Sequence, residues 1–376
     1  IELPSLRRSA LSQTIVFWQD DFPFYDTLPI PQPILVAALL KPEFVPLAEL
    51  PQALARPEVS LLVMPYGSAF PFDAWPAIYD YLQRGGNLLT LGGSPFEVPV
   101  YRQRQGFITG RPTVAYQKRL LINQSWPINS LQLHLRPAHS WLGSIGGGWG
   151  TRRCWSLMMR LSDEAHYGRL GSMGLMSAQI EPLLQGISSD GRVLVAPIVL
   201  VDHYHNRFAG GRWVLANFEA EPGFNGSEEA VRLFSACARI AQRSALQLDV
   251  RPAMATVATG ETPNLLLHCR AWQEQADAQL SVRLENPGGN LVYQKTMPLP
   301  LGQVPQHLSL SLPAPLRPGL YSLHLRLRSE TGLLAQATSG YYCRDQSLLR
   351  SGPPLKPGAE FFQRGDQPMP VIGTTY

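Results

Sequence analysis

The residues best suited to chemistry sit in a few short clusters. Asp202-His203-Tyr204-His205 places a carboxylate and two imidazoles within four positions, and these are donor types that hold zinc or copper. Histidines two apart share one side of a strand, so they could face a metal together. No third, distant ligand accompanies them, and a solvated strand end accounts for the same residues. Ser94 follows Gly92-Gly93 after an apolar run, which is where a serine nucleophile would stand. A nucleophile elbow requires G-x-S-x-G, and Pro95 and Phe96 follow instead, so a tight backbone turn is expected. Gly143–Gly150 (GSIGGGWG) lacks the Gly-Lys-Ser/Thr ending of a phosphate loop. It reads as a flexible surface loop near Trp141 and Trp149, whose rings could stack on sugars or bury in an interface. Asp163-Glu164 with His166 could supply acid and base groups and read more simply as solvated charge. Asn123-Gln124-Ser125 and Asn225-Gly226-Ser227 fit the glycosylation triplet. None of these clusters implies a metal or a cofactor.

Such residues need elements to hold them. The chain has 376 residues, 45 % of them apolar and 16 % charged, with 34 Pro and 32 Gly. That length implies two or three domains, and that Pro and Gly content implies many turns and short elements. Net charge is +4, with lysine only at Lys41, Lys118, Lys295 and Lys356. The arginines are scattered, so the clustered cations of a nucleic-acid-binding face are missing. No apolar run reaches the ~18 residues of a membrane span. Cys154, Cys237, Cys269 and Cys343 form no CxxC pair. Cys269 and Cys343 fall in one predicted domain and could bridge, but buried free thiols are the favoured reading.

Over residues 1–245 strand and helix signals alternate. Thr14–Trp18, Ser60–Met64 and Asn87–Leu91 are apolar, strand-like runs, and Ile34–Leu40 reads as a helix. Asp73 should cap a helix through Gln83 with Trp75, Ile78, Tyr79 and Leu82 on one face, stopped by Gly85-Gly86. Strand, helix, strand at this spacing is a parallel βαβ unit. Its sites belong at the carboxyl ends of the strands, which makes Tyr66, Ser68, Ser94 and Glu97 the candidate ligand or interface surface. Residues 105–165 read as an irregular insertion. Strand signals return at Val193–Val201 and Arg212–Asn217. Ser227 should then cap a helix to Arg243 that packs Val231, Phe234, Ala238 and Ala241. From 246 to 343 seven short strands separated by Pro/Gly turns suggest a β-sandwich: Leu246–Val250, Asn264–Ala271, Ala278–Glu285, Leu291–Thr296, His307–Leu312, Leu320–Arg328 and Ala335–Cys343. A connector over 344–376 ends on the apolar run Val371–Tyr376.

The segments LLVMPYGSAFP (Leu61–Pro71), RGGNLLTLGG (Arg84–Gly93) and SPF (Ser94–Phe96) resemble the class I glutamine amidotransferase-like fold. The resemblance implies a flavodoxin-like α/β domain followed by an Ig-like all-β sandwich. Active members of that superfamily carry a cysteine nucleophile on the turn after the GG-strand. Here that turn is Leu91-Gly92-Gly93-Ser94-Pro95, without a cysteine, and Pro95 has no N–H to offer an oxyanion hole. The segment AEFFQRGDQPMPVIGTTY (Ala359–Tyr376) resembles the lead-in to the catalytic (β/α)8 barrel of β-galactosidase-like glycoside hydrolases, where a short hairpin precedes the first barrel strand. GYYCRDQSLLRSGPPL (Gly340–Leu355) is similar to their connector out of the sandwich.

These resemblances imply a non-catalytic accessory or assembly region. Its partners would be a downstream barrel of the same polypeptide, other copies in a homo-oligomer, and the parent enzyme's carbohydrate substrate. The paired carboxylates of glycoside hydrolysis would then lie on later barrel strands, beyond Tyr376. A periplasmic or secreted setting is favoured over the cytoplasm. The alternative is a self-contained binding protein that uses the strand ends of the α/β domain, or exposed aromatics such as Trp272 and Tyr293, for a small ligand or carbohydrate.

Overall fold

The computed structural model describes residues 13–138, 140–142, 149–162, 176–272, 275–330, 332–349, 351–365 and 367–369. They fall into two compact units that meet in sequence at Leu246 and Gln247. Val371–Tyr376, the Asp163-Glu164-His166 group and Gly143–Gly148 lie outside the described residues.

In chain order the first unit contains β1 (Gln13–Phe17), α1 (Gln32–Ala38), β2 (Pro42–Val45), α2 (Leu50–Leu54), β3 (Val59–Met64), β4 (Ala69–Pro71), α3 (Trp75–Gln83) and β5 (Asn87–Leu91). It continues through β6 (Val98–Gln103), β7 (Gly106–Thr109), α4 (Ala115–Arg119), β8 (Ile122–Asn129), β9 (His134–Pro137), β10 (Thr151–Met159) and β11 (Ala178–Ile187). It closes with β12 (Val193–His203), β13 (Arg212–Ala216), β14 (Phe218–Ala220) and α5 (Glu228–Ala241). The main sheet has eight strands in the order β2-β1-β3-β5-β13-β12-β11-β9. The first five run parallel to one another, and the last three are added antiparallel.

The parallel strands are covered on both faces, so they read as continuous apolar runs rather than alternating ones; all six residues of β3 are buried. The pleat divides their side chains between two cores. Ile15, Phe17, Leu62 and Met64 pack with α2 and α3. Val16, Leu61, Val63 and Leu89 pack with α1 and α5. In α5, Ser227 caps as its sequence predicts, its Oγ accepting from the Ala230 N–H at 3.2 Å. Such a cap is worth about 1 kcal/mol. Asp73 does not cap α3. A 3₁₀ turn over Phe72–Ala74 leads into that helix with Ala74 at the cap position, and the Asp73 carboxylate instead accepts from the Arg102 backbone N–H at 3.2 Å. Trp75, Ile78, Tyr81 and Leu82 form the buried side of α3, with Tyr79 only partly covered.

Two expectations are corrected here. Residues 105–165 are not an irregular excursion. Their described part forms β7, α4, β8, β9 and β10, with β8 and β10 in a three-stranded sheet with β14 and β9 on the main sheet. These strands lie at surfaces and edges, and β8 buries only its first residue fully, so no sustained apolar alternation marks them. The α/β class is the second correction. Among the described residues strand takes 49 % and helix 16 %, so the fold is mostly β, with six sheets. Of the helices described there, only α3 and α5 exceed seven residues, too little to balance the added strands.

The second unit contains β15 (Leu246–Pro252), β16 (Thr256–Val257), β17 (Asn264–Ala271), β18 (Gln275–Glu285), β19 (Leu291–Leu301), β20 (Gln306–Ser311), β21 (Gly319–Ser329) and β22 (Gly332–Cys343). They form two sheets, β15-β17-β20 and β16-β22-β21-β18-β19, an Ig-like β-rich arrangement. Each of the seven predicted strands is present, because period-two burial is a local signal: Leu265, Leu267, Cys269 and Ala271 are buried while the residues between them are not. Tyr321 and Tyr341 stack at 5.2 Å across β21 and β22. A small antiparallel sheet, β23 (Leu355–Pro357), β24 (Phe362–Arg364) and β25 (Gln367–Met369), follows. All four cysteines are buried free thiols. No helix among the described residues is long and apolar enough to cross a membrane.

Candidate functional site at the carboxyl ends of the parallel strands

The loops after β1, β3 and β5 converge where the parallel strands end. Asp26 lies in the first, Ser68 in the second and Ser94 in the third. Gly67, Gly92 and Gly93 all adopt positive φ there, a conformation glycine takes without steric cost. A Cβ on Gly93 would collide with the Ser68 N–H and hydroxyl, and one on Gly67 or Gly92 with Thr27 Oγ1. Backbone, rather than side chains, therefore floors the site, and the loops pack tightly enough to aim Ser68 and Ser94 at each other.

The hydrogen bonds form a continuous chain. Ser68 Oγ donates to Asp26 Oδ2 at 2.5 Å and accepts from the Ser94 backbone N–H at 2.7 Å. Gln117 on α4 donates from Nε2 to Ser94 Oγ at 2.6 Å and to the Pro95 carbonyl at 3.0 Å. Ser94 Oγ also lies 2.6 Å from Ser125 Oγ on β8, and either hydroxyl can donate in that pair. Ser68, Ser94 and Gln117 are fully buried, whereas Asp26, Glu97 and Ser125 are half-buried at the rim.

Burial raises both rim carboxyls above their ordinary values. For Glu97 the bond from Ser94 opposes this and the negative charge of Asp26 adds to it. For Asp26 the bond from Ser68 and the positive charge of Arg153 oppose it, while Glu219 adds to it. Two carboxyls that disfavour each other's charge bias the rim toward holding a proton. No histidine is among the hydrogen-bond partners of Ser94, and its hydroxyl is engaged by Gln117 and Ser125. The arrangement fits polar binding.

Of the four residues singled out from sequence, Ser68, Ser94 and Glu97 come together. Tyr66 stands apart: it is buried against Phe17 and Phe22, and its hydroxyl bonds the Gln19 carbonyl at 2.8 Å and N–H at 2.9 Å. Asp26, Gln117 and Ser125 were not legible as site residues.

The Asp202–His205 cluster is neither a metal site nor a solvated strand end. Asp202 receives two bonds from Arg212, each of 2.7 Å, inside the protein. His203 packs on Phe208 and Trp213, and burial pushes its pKa down to about 3. His205 is exposed. Among the described residues no group of three or more His, Cys, Asp and Glu could hold a metal ion. The tryptophans near the glycine run are occupied internally: Trp149 stacks on Phe224 at 4.4 Å, and Trp141 lies beside the Arg212 and Arg243 guanidiniums. In the second unit the Arg270 guanidinium covers Trp272 at 4.4 Å.

Fold and site together define a mostly β chain of two units, whose first unit carries a buried serine network at the ends of its parallel strands. No protein-family model and no curated protein sequence matches it. Among solved structures it is similar to the β-galactosidase of Rahnella sp. R3, at 11 % identity and a TM-score of 0.36 over 80 % of this chain and 41 % of that one. The β-galactosidase of Bacillus circulans sp. alkalophilus gives 11 % identity and a TM-score of 0.36 over 79 % and 41 %. The CARDB domain of the PF1109 protein from Pyrococcus furiosus gives 13 % identity and a TM-score of 0.21 over 26 % and 86 %. The chain thus spans 41 % of the length of each β-galactosidase. TM-scores this low carry no argument about activity.

Proposed function

We propose that this chain is a non-catalytic accessory and assembly region of a β-galactosidase-like glycoside hydrolase. In this reading 1–245 is a degenerate amidotransferase-like domain and 246–343 is an Ig-like sandwich. The connector over 344–376 hands the chain to a catalytic barrel. The observation that carries the reading is the hairpin of β24 and β25. Arg364 pairs with Gln367, and Gly365 between them takes φ +64°. Hairpins of that kind favour glycine with positive φ. Both strands are exposed, and Phe361, Phe362 and Met369 leave apolar surface uncovered, as a segment awaiting further packing would. A hairpin at this place supports the reading, because the Ala359–Tyr376 resemblance implies one. The Ser94 turn supports the non-catalytic part, because serine stands where an amidotransferase carries cysteine and no histidine is among its hydrogen-bond partners.

The test is to extend the coding frame past Tyr376 and compare hydrolysis of an aryl β-galactoside by this chain and by the extended polypeptide. Activity only in the extended protein, with glutamates at barrel strand ends, supports the proposal. A frame that stops at Tyr376, or hydrolysis by this chain alone, refutes it.

A further inference from the structure

The arginines are spread along the sequence, but the acids are not. Residues 98–162 contain eight arginines, Lys118 and no aspartate or glutamate, whereas residues 13–97 contain nine acids and only three cations. Positive charge is thus concentrated on β6 to β10, α4 and the turns between them. One end of this region forms a cleft. The β6–β7 hairpin pairs Arg102 with Phe107 and Gln103 with Gly106, which puts Arg104 at its turn. Arg102, Gln103 and Arg104, with Asp73 from the turn before α3, line an open cleft of about 770 Å³. The Asp73 carboxylate is held there by the Arg102 backbone N–H at 3.2 Å, not by a guanidinium. Arg102, Arg104, Arg111, Lys118 and Arg119 are all exposed, and among the described residues none of them makes an ion pair. Next in sequence to Arg102, Tyr101 packs on Phe72 at 4.7 Å and stays 36 % exposed. Tyr116 packs on the same Phe72 at 6.0 Å, which ties α4, with Lys118 and Arg119, to these aromatics.

We propose that this cleft binds a stretch of an acidic polysaccharide built from uronic-acid sugars. Each such sugar offers one carboxylate and several hydroxyls. A guanidinium meets a carboxylate through two parallel, charge-assisted bonds. Gln103 can donate to or accept from hydroxyls, the Asp73 carboxylate accepts from them, and Tyr101 supplies an amphipathic ring beside the arginines. Asp73 also sets this ligand apart from DNA, which carries a negative charge on every phosphate and lacks the 2′-hydroxyl that would answer a carboxylate. Exposed ion pairs are individually weak, so binding gains its strength from repetition along a polymer. The inference concerns the first unit alone and stands whether or not a barrel follows.

The test is calorimetric titration of the intact chain at low ionic strength with an oligogalacturonate, a neutral malto-oligosaccharide of the same length and a single-stranded DNA oligomer. Saturable binding of the oligogalacturonate with a Kd below about 1 mM is expected, with none of the neutral sugar and with DNA weaker by about tenfold or more. Raising the salt to about 0.5 M should weaken binding about tenfold, because the charges are exposed. Arg102→Gln/Arg104→Gln should lose about tenfold in affinity at an unchanged thermal midpoint, since both side chains are exposed and unpaired. Arg326→Gln/Arg328→Gln removes the same charge from exposed positions of β21 in the second unit and should leave binding unchanged, which separates a site from net charge. Asp73→Asn should narrow the preference over DNA. No binding of the oligogalacturonate up to about 10 mM, undiminished affinity in Arg102→Gln/Arg104→Gln, equal loss in the two double variants, or DNA bound as tightly as the oligogalacturonate overturns the proposal.

Discussion

Replacing Arg212 by methionine offers the sharpest check on how the first unit is held together. Asp202 and Arg212 pair across β12 and β13 and meet through two bonds of 2.7 Å. The arginine side chain is 2 % exposed and the aspartate 10 %. Desolvation holds the Asp202 carboxyl above the ordinary aspartate value, and the Arg212 charge and its hydrogen bonds pull it back. Methionine preserves much of the volume but strands the carboxylate. Breaking a buried pair from one side costs about 3–5 kcal/mol, roughly 6–20 °C in Tm for a unit of this size. The pH dependence has a definite sign. Without Arg212 the folded-state pKa of Asp202 rises further above its unfolded value of about 3.9. A group whose pKa is raised by folding contributes stability below its unfolded value, and that contribution is lost as pH rises through the folded one. The deficit of Arg212→Met relative to wild type should therefore be small near pH 4 and largest near pH 8. Urea unfolding followed by tryptophan fluorescence at both pH values measures it. The double variant Asp202→Leu/Arg212→Met should regain most of the loss, since an apolar pair leaves no charge behind. A deficit under about 1 kcal/mol near pH 8, or the same deficit at both pH values, would refute the reasoning.

Three further outcomes are expected. Gly93→Ala forces a Cβ against Ser68 at φ +60° and should destabilise by roughly 2 kcal/mol or more; an unchanged thermal midpoint would contradict the packing described. His203 is held neutral by burial, its pKa lowered from 6.5 to about 3, so stability present above its unfolded pKa is lost as pH falls toward the folded value. His203→Phe should flatten that acid limb in urea midpoints taken between about pH 6.5 and pH 4. Burial pushes the thiols of Cys237 and Cys269 up to about 12 and raises that of Cys154, so a thiol reagent near pH 8 should label none of these three cysteines until denaturant is added.

Much of this architecture is local and could be read directly. The doubly covered β3 and β5 are mostly apolar runs, α5 announces its start through Ser227 and its glutamates, and the second unit shows its strands by period-two burial. These signals survive in sequence because they depend on what each element buries, and burial by one element is written in consecutive residues. Asp202-His203-Tyr204-His205 has the donor types of a metal site, but their fate rested on Arg212, brought alongside by the register of β12 and β13. Ser94 was visible as a turn residue, yet its partners Gln117 and Ser125, and the Asp26 that Ser68 bonds, come from a short helix, a strand and a loop whose own patterns carry no mark of a site. The sequence by itself determined which segments are strands and helices and that no cysteine follows the glycine turn. The tertiary structure alone decided which polar groups meet, because hydrogen bonds and ion pairs are made between residues far apart in the chain.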